Sequence, residues 1–185
     1  MRLLFAALYT GALLAASGVA AQDLAALQDG DMRKLQIHDA PVDVSTTAFE
    51  GDDGAETVLQ DLKGEVAVVN FWATWCAPCR KEMPTLAKLQ QELGDEGVRV
   101  VPIATGRNDP MELDSFLQEV GAEALPHWRD PSQALARDMG VLGLPITVIL
   151  NREGQEVARL QGDADWLSES ALAILRAIAA EGAEG

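Results

Sequence analysis

The chain of 185 residues contains two cysteines, Cys76 and Cys79, with two residues between them. A pair at this spacing can form a structural disulfide, clip a metal ion or act as a redox couple. A disulfide across two residues closes a very small loop and gains little loop-entropy stabilisation. A structural zinc site usually needs four ligands, and the two histidines, His38 and His127, do not form a paired ligand motif. A single Cys-x-x-Cys beside a strand-to-helix pattern therefore favours a redox couple.

The segments on either side of the cysteines predict how the pair is positioned. Residues 65–72 (EVAVVNFW) are mostly apolar and rich in valine, which is typical of a buried central strand. Residues 80–93 carry apolar side chains at helical spacing. The first turn of a helix presents free N–H groups and a positive dipole end, and both stabilise a thiolate. We therefore expect Cys76 to be the exposed nucleophile and Cys79, one turn further along, to resolve the mixed disulfide.

The remaining patterns predict strands that alternate with helices. We predict a buried strand at residues 98–105, a helix at 110–121 and a short strand at 125–130. These are followed by a short helix at 131–140, a hairpin at 146–162 and a closing amphipathic helix at 166–180. Such alternation indicates an α/β sheet covered on both faces. Residues 22–40 show no clear pattern, and we expect no regular structure there.

The first 21 residues have the pattern of a secretory signal peptide. Arg2 precedes an apolar run, and small residues precede a cleavage point after Ala21. The run is shorter than the roughly 20 residues that span a bilayer, so cleavage is favoured over a retained membrane anchor. Export implies a periplasmic, oxidising compartment. The net charge of −15 argues against nucleic acid as a partner.

The sequence FWATWCAPCRKEMP, residues 71–84, resembles the active-site signature of the thioredoxin superfamily. More narrowly, it is similar to that of the exported TlpA/ResA-type thiol-disulfide oxidoreductases, which include cytochrome c maturation and copper-centre assembly factors. The resemblance covers about residues 40–178, and its most specific parts are residues 61–76 and 143–157.

This resemblance implies a thioredoxin-like fold, in which helices flank a central mixed sheet. An N-terminal hairpin and a central helix-strand insertion would distinguish the chain from plain thioredoxin. The corresponding domain division is a signal peptide at residues 1–21, an N-terminal extension at residues 22–39 and a thioredoxin-like domain at residues 40–181.

The resemblance also implies a role for Glu82. It stands three residues after the second cysteine, where the ResA-like branch has a glutamate linked to the redox chemistry. A carboxyl group with a raised pKa could accept the proton that Cys79 must lose. The alternative is a solvated glutamate that the dipole of the first helical turn favours. Asn70 occupies the position where plain thioredoxins carry a buried aspartate.

Four residues are expected to form the substrate-docking surface. The resemblance implies a cis peptide between Leu144 and Pro145, close to the cysteines. The backbone of Leu144 could then bind an incoming cysteine-bearing chain as an added strand. Trp75 and Pro78 lie beside the cysteines in sequence and are expected at the surface, whereas Trp72 is expected in the core.

The function implied is that of an exported enzyme that reduces protein disulfides in cytochrome c maturation or copper-centre assembly. Cys76 would attack a substrate disulfide and Cys79 would release the reduced product. The expected partners are proteins bearing disulfides or cysteine pairs, and a membrane thiol donor that re-reduces the enzyme; no cofactor or metal is expected. A disulfide oxidase or isomerase on the same fold, and a copper-binding chaperone, remain alternatives.

Overall fold

The computed structural model describes residues 21–181. The predicted signal peptide lies outside these residues except for its last position, Ala21. Over the described part of the chain, no helix combines the length and apolar character needed to cross a membrane.

Residues 21–181 contain eight strands in one mixed sheet. In chain order these strands are β1 (Gln36–Asp43), β2 (Phe49–Glu50), β3 (Glu56–Thr57), β4 (Val66–Trp72), β5 (Val98–Thr105), β6 (Trp128–Asp130), β7 (Ile146–Leu150) and β8 (Gln155–Gln161). Their spatial order is β1-β8-β7-β4-β5-β6-β2-β3. The pairs β4–β5 and β5–β6 are parallel and the others are antiparallel.

Helices cover both faces of the sheet. Within the described range they are α1 (Ala21–Ala26), α2 (Ala77–Leu93), α3 (Pro110–Glu119), α4 (Ala134–Asp138) and α5 (Glu169–Ala180), with short 3₁₀ turns at Gly30–Lys34, Leu59–Leu62 and Gly94–Glu96. The predicted thioredoxin-like α/β fold is confirmed, including the insertion formed by α3 and β6 and the hairpin formed by β2 and β3.

Strand β4 is the central element, and each of its residues is buried. Val66 and Val68 pack in one core cluster with residues of α2, α3 and α5. Ala67 and Val69 point to the opposite face and pack with residues of α4 and of the 3₁₀ turn Leu59–Leu62. Burial on both faces explains why the strand is apolar at every position except Asn70, without alternation.

The N-terminal segment differs from the prediction. Residues 22–40 were expected to lack regular structure, yet they include most of α1, a 3₁₀ turn and the first half of β1. Strand β1 pairs antiparallel with β8 at the edge of the sheet and therefore crosses the division proposed at residue 40. Its side chains are half-buried or exposed and its register is irregular between Ile37 and Val42, so the alternation that reveals a strand is missing.

The segment is nevertheless part of the core. Met32, in the 3₁₀ turn Gly30–Lys34, is almost fully buried and packs in the same cluster as α2 and α5. Leu24 and Leu35 are buried in this cluster as well.

Met32→Ala is therefore expected to lower the free energy of unfolding by about 2–5 kcal/mol, since it removes a buried side chain and leaves a cavity. Met111→Ala is the matched control, because Met111 is 78% exposed on α3 and its loss should change the stability by no more than about 0.5 kcal/mol. Denaturant unfolding of both variants measures the difference. Equal small effects would mean that the N-terminal segment contributes nothing to the folded core.

Candidate active site

The two cysteines lie where β4 ends and α2 begins, as predicted. They form a disulfide with their Cα atoms 5.3 Å apart. Cys76 is the N-cap residue of α2, and the backbone N–H of Cys79 donates to its Sγ at 3.3 Å. Cys79 is completely buried, whereas Cys76 retains 6% exposure. Cys76 is thus less exposed than predicted, because in the disulfide its side chain packs at the edge of the core, but it is the more accessible of the two.

The loop between β4 and α2 is held by contacts with the loop after β5. The backbone N–H of Thr74 donates to Asn108 Oδ1 at 2.8 Å. The Asn108 side chain in turn donates to the carbonyl groups of Thr105 and Gly106. The parallel pairing of β4 and β5 brings these loops to the same end of the sheet. Sequence reasoning missed Asn108, since no motif marks it.

The four predicted docking residues lie at or near this end of the sheet. Trp75 is 65% exposed, and its indole N–H donates to the carbonyl of Arg107 at 3.3 Å. Pro78 is exposed on the first turn of α2. The Leu144-Pro145 peptide is cis as expected, with Leu144 half-buried and Pro145 buried. Ile146, the next residue, pairs with Phe71 of β4 and so places this peptide near the redox loop.

Glu82 lies inside the protein, on the helix that carries both cysteines. It is 2% exposed, so the solvated alternative for this residue is wrong. One carboxylate oxygen, Oε1, accepts a hydrogen bond from Asn70 Nδ2 at 2.8 Å. The other, Oε2, accepts from Trp166 Nε1 and from the backbone N–H of Ala164, both at 3.2 Å. Cys79 and Glu82 are three residues apart on α2 and therefore lie on the same helical face.

Two opposing effects set the proton affinity of Glu82. Burial disfavours the charged form and raises its pKa. The hydrogen bonds from Asn70, Trp166 and Ala164 favour the charged form and lower the pKa, but they do not cancel the effect of burial. The resulting pKa is about 7, compared with 4.5 for an ordinary glutamate. Glu82 can therefore both accept and release a proton near neutral pH.

The other residues around Glu82 provide donors without adding a second carboxylate at hydrogen-bond distance. Asn70 is fully buried on β4, and its Nδ2 also donates to Thr147 Oγ1 at 2.9 Å. Asn70 and Thr147 are direct neighbours in the β4–β7 pairing. Sequence reasoning singled out Asn70 but missed Trp166 and Ala164, which lie 84 and 82 residues from Glu82 along the chain.

A small cavity of about 240 Å³ adjoins Glu82 on the side of the N-terminal segment. Its other lining residues are Asp31, Lys81, Thr85, Asp163, Ala164 and Asp165. Lys81 Nζ pairs with Asp163 Oδ2 at 2.8 Å. The carboxyl group of Glu82 is thus close to a polar surface while remaining almost entirely covered.

Both histidines are bound to carboxylates away from the cysteines. His38 Nε2 lies 2.7 Å from Glu156 Oε1, and His127 Nδ1 lies 2.8 Å from Asp114 Oδ1. Among residues 21–181, no group of three or more histidine, cysteine, aspartate and glutamate side chains is close enough to hold a metal ion.

A disulfide at the N-terminus of a helix, at the end of the central strand of a mixed sheet and near a cis-proline, defines the class of thioredoxin-like thiol-disulfide oxidoreductases. The Redoxin family matches residues 34–175. The chain belongs to this family, and it is a thiol-disulfide oxidoreductase with a Cys-x-x-Cys pair.

Individual relatives agree with this assignment. The chain is 31% identical over 133 residues to the thiol-disulfide oxidoreductase ResA of Bacillus thuringiensis, covering 72% of this chain and 74% of the relative. A crystal structure from Chlorobium tepidum, of a protein assigned as thiol:disulfide interchange protein DsbE, is 28% identical with a TM-score of 0.63 and covers 74% of this chain and 98% of its own. A secreted thiol-disulfide isomerase of Corynebacterium glutamicum has the same fold, with a TM-score of 0.68, 21% identity and coverage of 83% and 96%.

Glu82→Gln is expected to remove one pH-dependent component of stability. Because the pKa of Glu82 in the folded protein, about 7, exceeds the ordinary value of 4.5, the folded state binds this proton more tightly than the unfolded state. The resulting stabilisation is complete below about pH 4.5 and is lost as the pH rises through about 7. The loss amounts to about 3 kcal/mol in the wild-type protein, and the variant should lack it.

Denaturant unfolding of the oxidised proteins at about pH 5 and about pH 8 measures this difference. Glu112→Gln is the control, because Glu112 is exposed on α3, and it should follow the wild-type protein. The same change in unfolding free energy for wild type and Glu82→Gln would contradict the assignment of Glu82 as a buried titrating group.

Proposed function

We propose that this enzyme is an exported reductase of protein disulfides, in which Cys76 attacks, Cys79 resolves and Glu82 carries the resolving proton. The observation that carries the proposal is the buried Glu82 carboxyl, with a pKa of about 7, on the same helical face as the fully buried Cys79. A thiol buried in apolar surroundings ionises reluctantly and needs a base.

The first step is attack by the reduced Cys76. Its position at the N-terminus of α2 and the N–H of Cys79 both stabilise a thiolate at Sγ. The Cys76 thiolate attacks one sulfur of a substrate disulfide and forms a mixed disulfide. The second substrate sulfur leaves as a thiolate.

The second step is resolution by Cys79. Its thiol passes a proton to the carboxylate of Glu82, and the resulting thiolate attacks Cys76 Sγ. The Cys76–Cys79 disulfide forms, and the remaining substrate sulfur leaves as a thiolate. Two electrons have then moved from the enzyme to the substrate. The same carboxyl group serves the reverse reaction, because it can return the proton to Cys79.

The reducing direction and the substrates follow from the family resemblance. The Ala-Pro dipeptide between the cysteines is similar to reductase-type motifs. We infer that the substrates are proteins whose cysteine pairs must be reduced before they receive a haem group or a copper centre. The signal-peptide pattern of residues 1–21 supports export, as does the secreted character of the Corynebacterium glutamicum protein. In an oxidising compartment the enzyme needs a dedicated electron source, and we propose a membrane thiol donor.

Substrates are proposed to dock across Trp75, Pro78 and the Leu144-Pro145 loop. Trp75 borders an open cavity of about 750 Å³, to which Arg107, Met111 and Phe116 also contribute. An exposed tryptophan beside a reactive cysteine offers a large apolar contact to an incoming chain. The free backbone of Leu144 would add strand-like hydrogen bonds to the segment that carries the substrate cysteine.

Cys79→Ser in the full-length protein is expected to accumulate mixed disulfides with its substrates in cells. This variant retains the attacking Cys76 but cannot resolve the intermediate. It also cannot form the internal disulfide, so it captures proteins that carry disulfides and not proteins that donate thiols to an oxidase. Non-reducing electrophoresis followed by identification of the captured proteins measures the outcome.

Cys76→Ser is the matched control and should capture little, since it lacks the attacking thiol. Efficient capture by Cys76→Ser would reverse the two roles. The enzyme would be an oxidase, and not a reductase, if Cys79→Ser captures no proteins and the wild-type enzyme oxidises reduced substrate proteins.

Trp75→Ala is expected to slow the reduction of a protein disulfide by about fivefold or more, which is the effect of losing an interface contact worth about 1 kcal/mol. The reduction of a small-molecule disulfide should change by less than about twofold, because it requires little beyond Cys76. The ratio of the two rates is the measurement, with Val42→Ala as a control at an exposed apolar residue on β1. Equal losses on both substrates would remove Trp75 from the docking surface.

A further inference from the structure

Trp166 is a completely buried residue in the loop between β8 and α5. An indole N–H is only a donor, and a buried one needs an acceptor. The acceptor of Trp166 Nε1 is Glu82 Oε2, at 3.2 Å. The contact joins two side chains that are 84 residues apart in the chain.

We propose that Trp166 is a positioning residue of the redox reaction, whose indole N–H holds the Glu82 carboxylate in the orientation from which it accepts the proton of Cys79. The proposal rests on the proton-carrying role of Glu82 described above. It adds a determinant of that role which lies outside the Cys-x-x-Cys motif and the cis-proline loop.

Both carboxylate oxygens of Glu82 accept hydrogen bonds, but from different donors. Asn70 binds Oε1, while Trp166 and the N–H of Ala164 both bind Oε2. Two donors on one oxygen and one on the other fix the plane of the carboxyl group. All three are N–H groups, so these hydrogen bonds favour the ionised form of the carboxyl and oppose the effect of its burial. Among the two donors at Oε2, Trp166 is the one that a side-chain substitution can remove.

The loop that carries Trp166 is itself firmly placed. Lys81 Nζ pairs with Asp163 Oδ2, and Lys34 Nζ donates to the Asp163 carbonyl at 2.7 Å. The N–H of Asp165 donates to Asp31 Oδ2 at 3.1 Å. The loop that carries the indole is therefore held from both α2 and the 3₁₀ turn Gly30–Lys34, as a positioning role requires.

The charged groups that face Glu82 come from three elements. Lys81 lies on α2, Asp163 and Asp165 lie in the loop before α5, and Asp31 lies on the N-terminal 3₁₀ turn. Strands β4 and β7 contribute only the neutral side chains of Asn70 and Thr147. Asp163 raises the pKa of Glu82 through charge repulsion, but it is paired with Lys81. A change in the titration of Glu82 after loss of the indole N–H can therefore be assigned to the hydrogen bond when these pairs are left intact.

Trp166→Phe is the primary test, because it keeps an aromatic ring and removes the N–H. Without this donor the carboxylate is less stable, so the pKa of Glu82 should rise by about one unit. At pH 7 the ionised fraction would then fall from about one half to about one tenth, and resolution by Cys79 should slow by about fivefold. The rate should recover as the pH is raised.

An aromatic disulfide that releases a coloured thiol separates the two steps in stopped flow. The first thiol released reports attack by Cys76, and the second reports resolution by Cys79. We expect Trp166→Phe to leave the first phase nearly unchanged and to move the pH midpoint of the second phase upward. The carboxyl carbon resonance of Glu82, identified by its loss in Glu82→Gln, gives the pKa directly.

Trp128→Phe is the matched control. Trp128 is also buried, and its indole N–H also donates to a carboxylate, Asp52 Oδ2 at 3.3 Å, but it lies in the core cluster on the other face of the sheet. It should lower stability without moving the pH midpoint of the second phase. If Trp166→Phe, like Trp128→Phe, leaves the pH midpoint of the second phase unchanged, Trp166 is only a packing residue and the proposal is overturned.

The double variant Glu82→Gln/Trp166→Phe separates this proposal from the one on which it rests. If Trp166 acts through Glu82, its substitution should cause no further shift in the second phase when Glu82 is already absent. If Glu82→Gln alone leaves the pH profile of the second phase unchanged, the role of Glu82 fails. If Glu82→Gln changes the profile and Trp166→Phe does not, only the role of Trp166 fails.

A second substitution covers the case in which phenylalanine prevents folding. Replacement of Trp166 by benzothienylalanine keeps the bicyclic shape and exchanges the N–H for a sulfur atom. The same upward shift of the pH midpoint is expected from this variant. An unchanged midpoint in the folded benzothienyl protein would overturn the proposal as firmly as the phenylalanine result.

Discussion

The burial of a single carboxyl group, that of Glu82, is the constraint on which the rest of the site depends. Removing a carboxylate from water costs several kcal/mol unless hydrogen bonds compensate. Strand β4 supplies one donor and the loop after β8 supplies two, so distant parts of the chain must meet at one point. Burial without these donors would hold the group neutral at pH 7, and the donors without burial would hold it ionised. The pKa of about 7 is the balance between the two.

This balance extends the site into the N-terminal segment. The loop that supplies Trp166 and Ala164 is fixed by Asp31 and Lys34 of the 3₁₀ turn Gly30–Lys34. Met32 of the same turn anchors the segment in the core. A part of the chain without a recognisable sequence pattern therefore helps to hold the loop that covers Glu82. The boundary between an extension and a catalytic domain does not correspond to a boundary in packing.

The sequence was sufficient for features that are encoded locally. Strand β4 was predicted because burial on both faces favours a nearly continuous apolar run, and the start of α2 directly after Cys76 followed from the strand-to-helix pattern. Strand β1 was missed because its side chains are mostly exposed at an edge of the sheet. The burial of Glu82 and its contact with Trp166 could not be predicted, because they depend on which loop covers α2. The general rule that a buried indole N–H needs an acceptor does not identify which acceptor Trp166 would find.

Because position 70 is an asparagine, Glu82 has no second carboxylate as a hydrogen-bond partner on β4. An aspartate there would place a second carboxylate within hydrogen-bond distance of Glu82, and two such groups share a proton and titrate as a pair. Asn70 donates to Glu82 and to Thr147 without adding charge. The two proposed steps, attack by Cys76 and resolution by Cys79, then depend on separate electrostatic effects. In the proposed reaction the helix N-terminus stabilises the Cys76 thiolate and Glu82 accepts the proton of Cys79, so a change in pH near neutrality would act mainly on the resolving step.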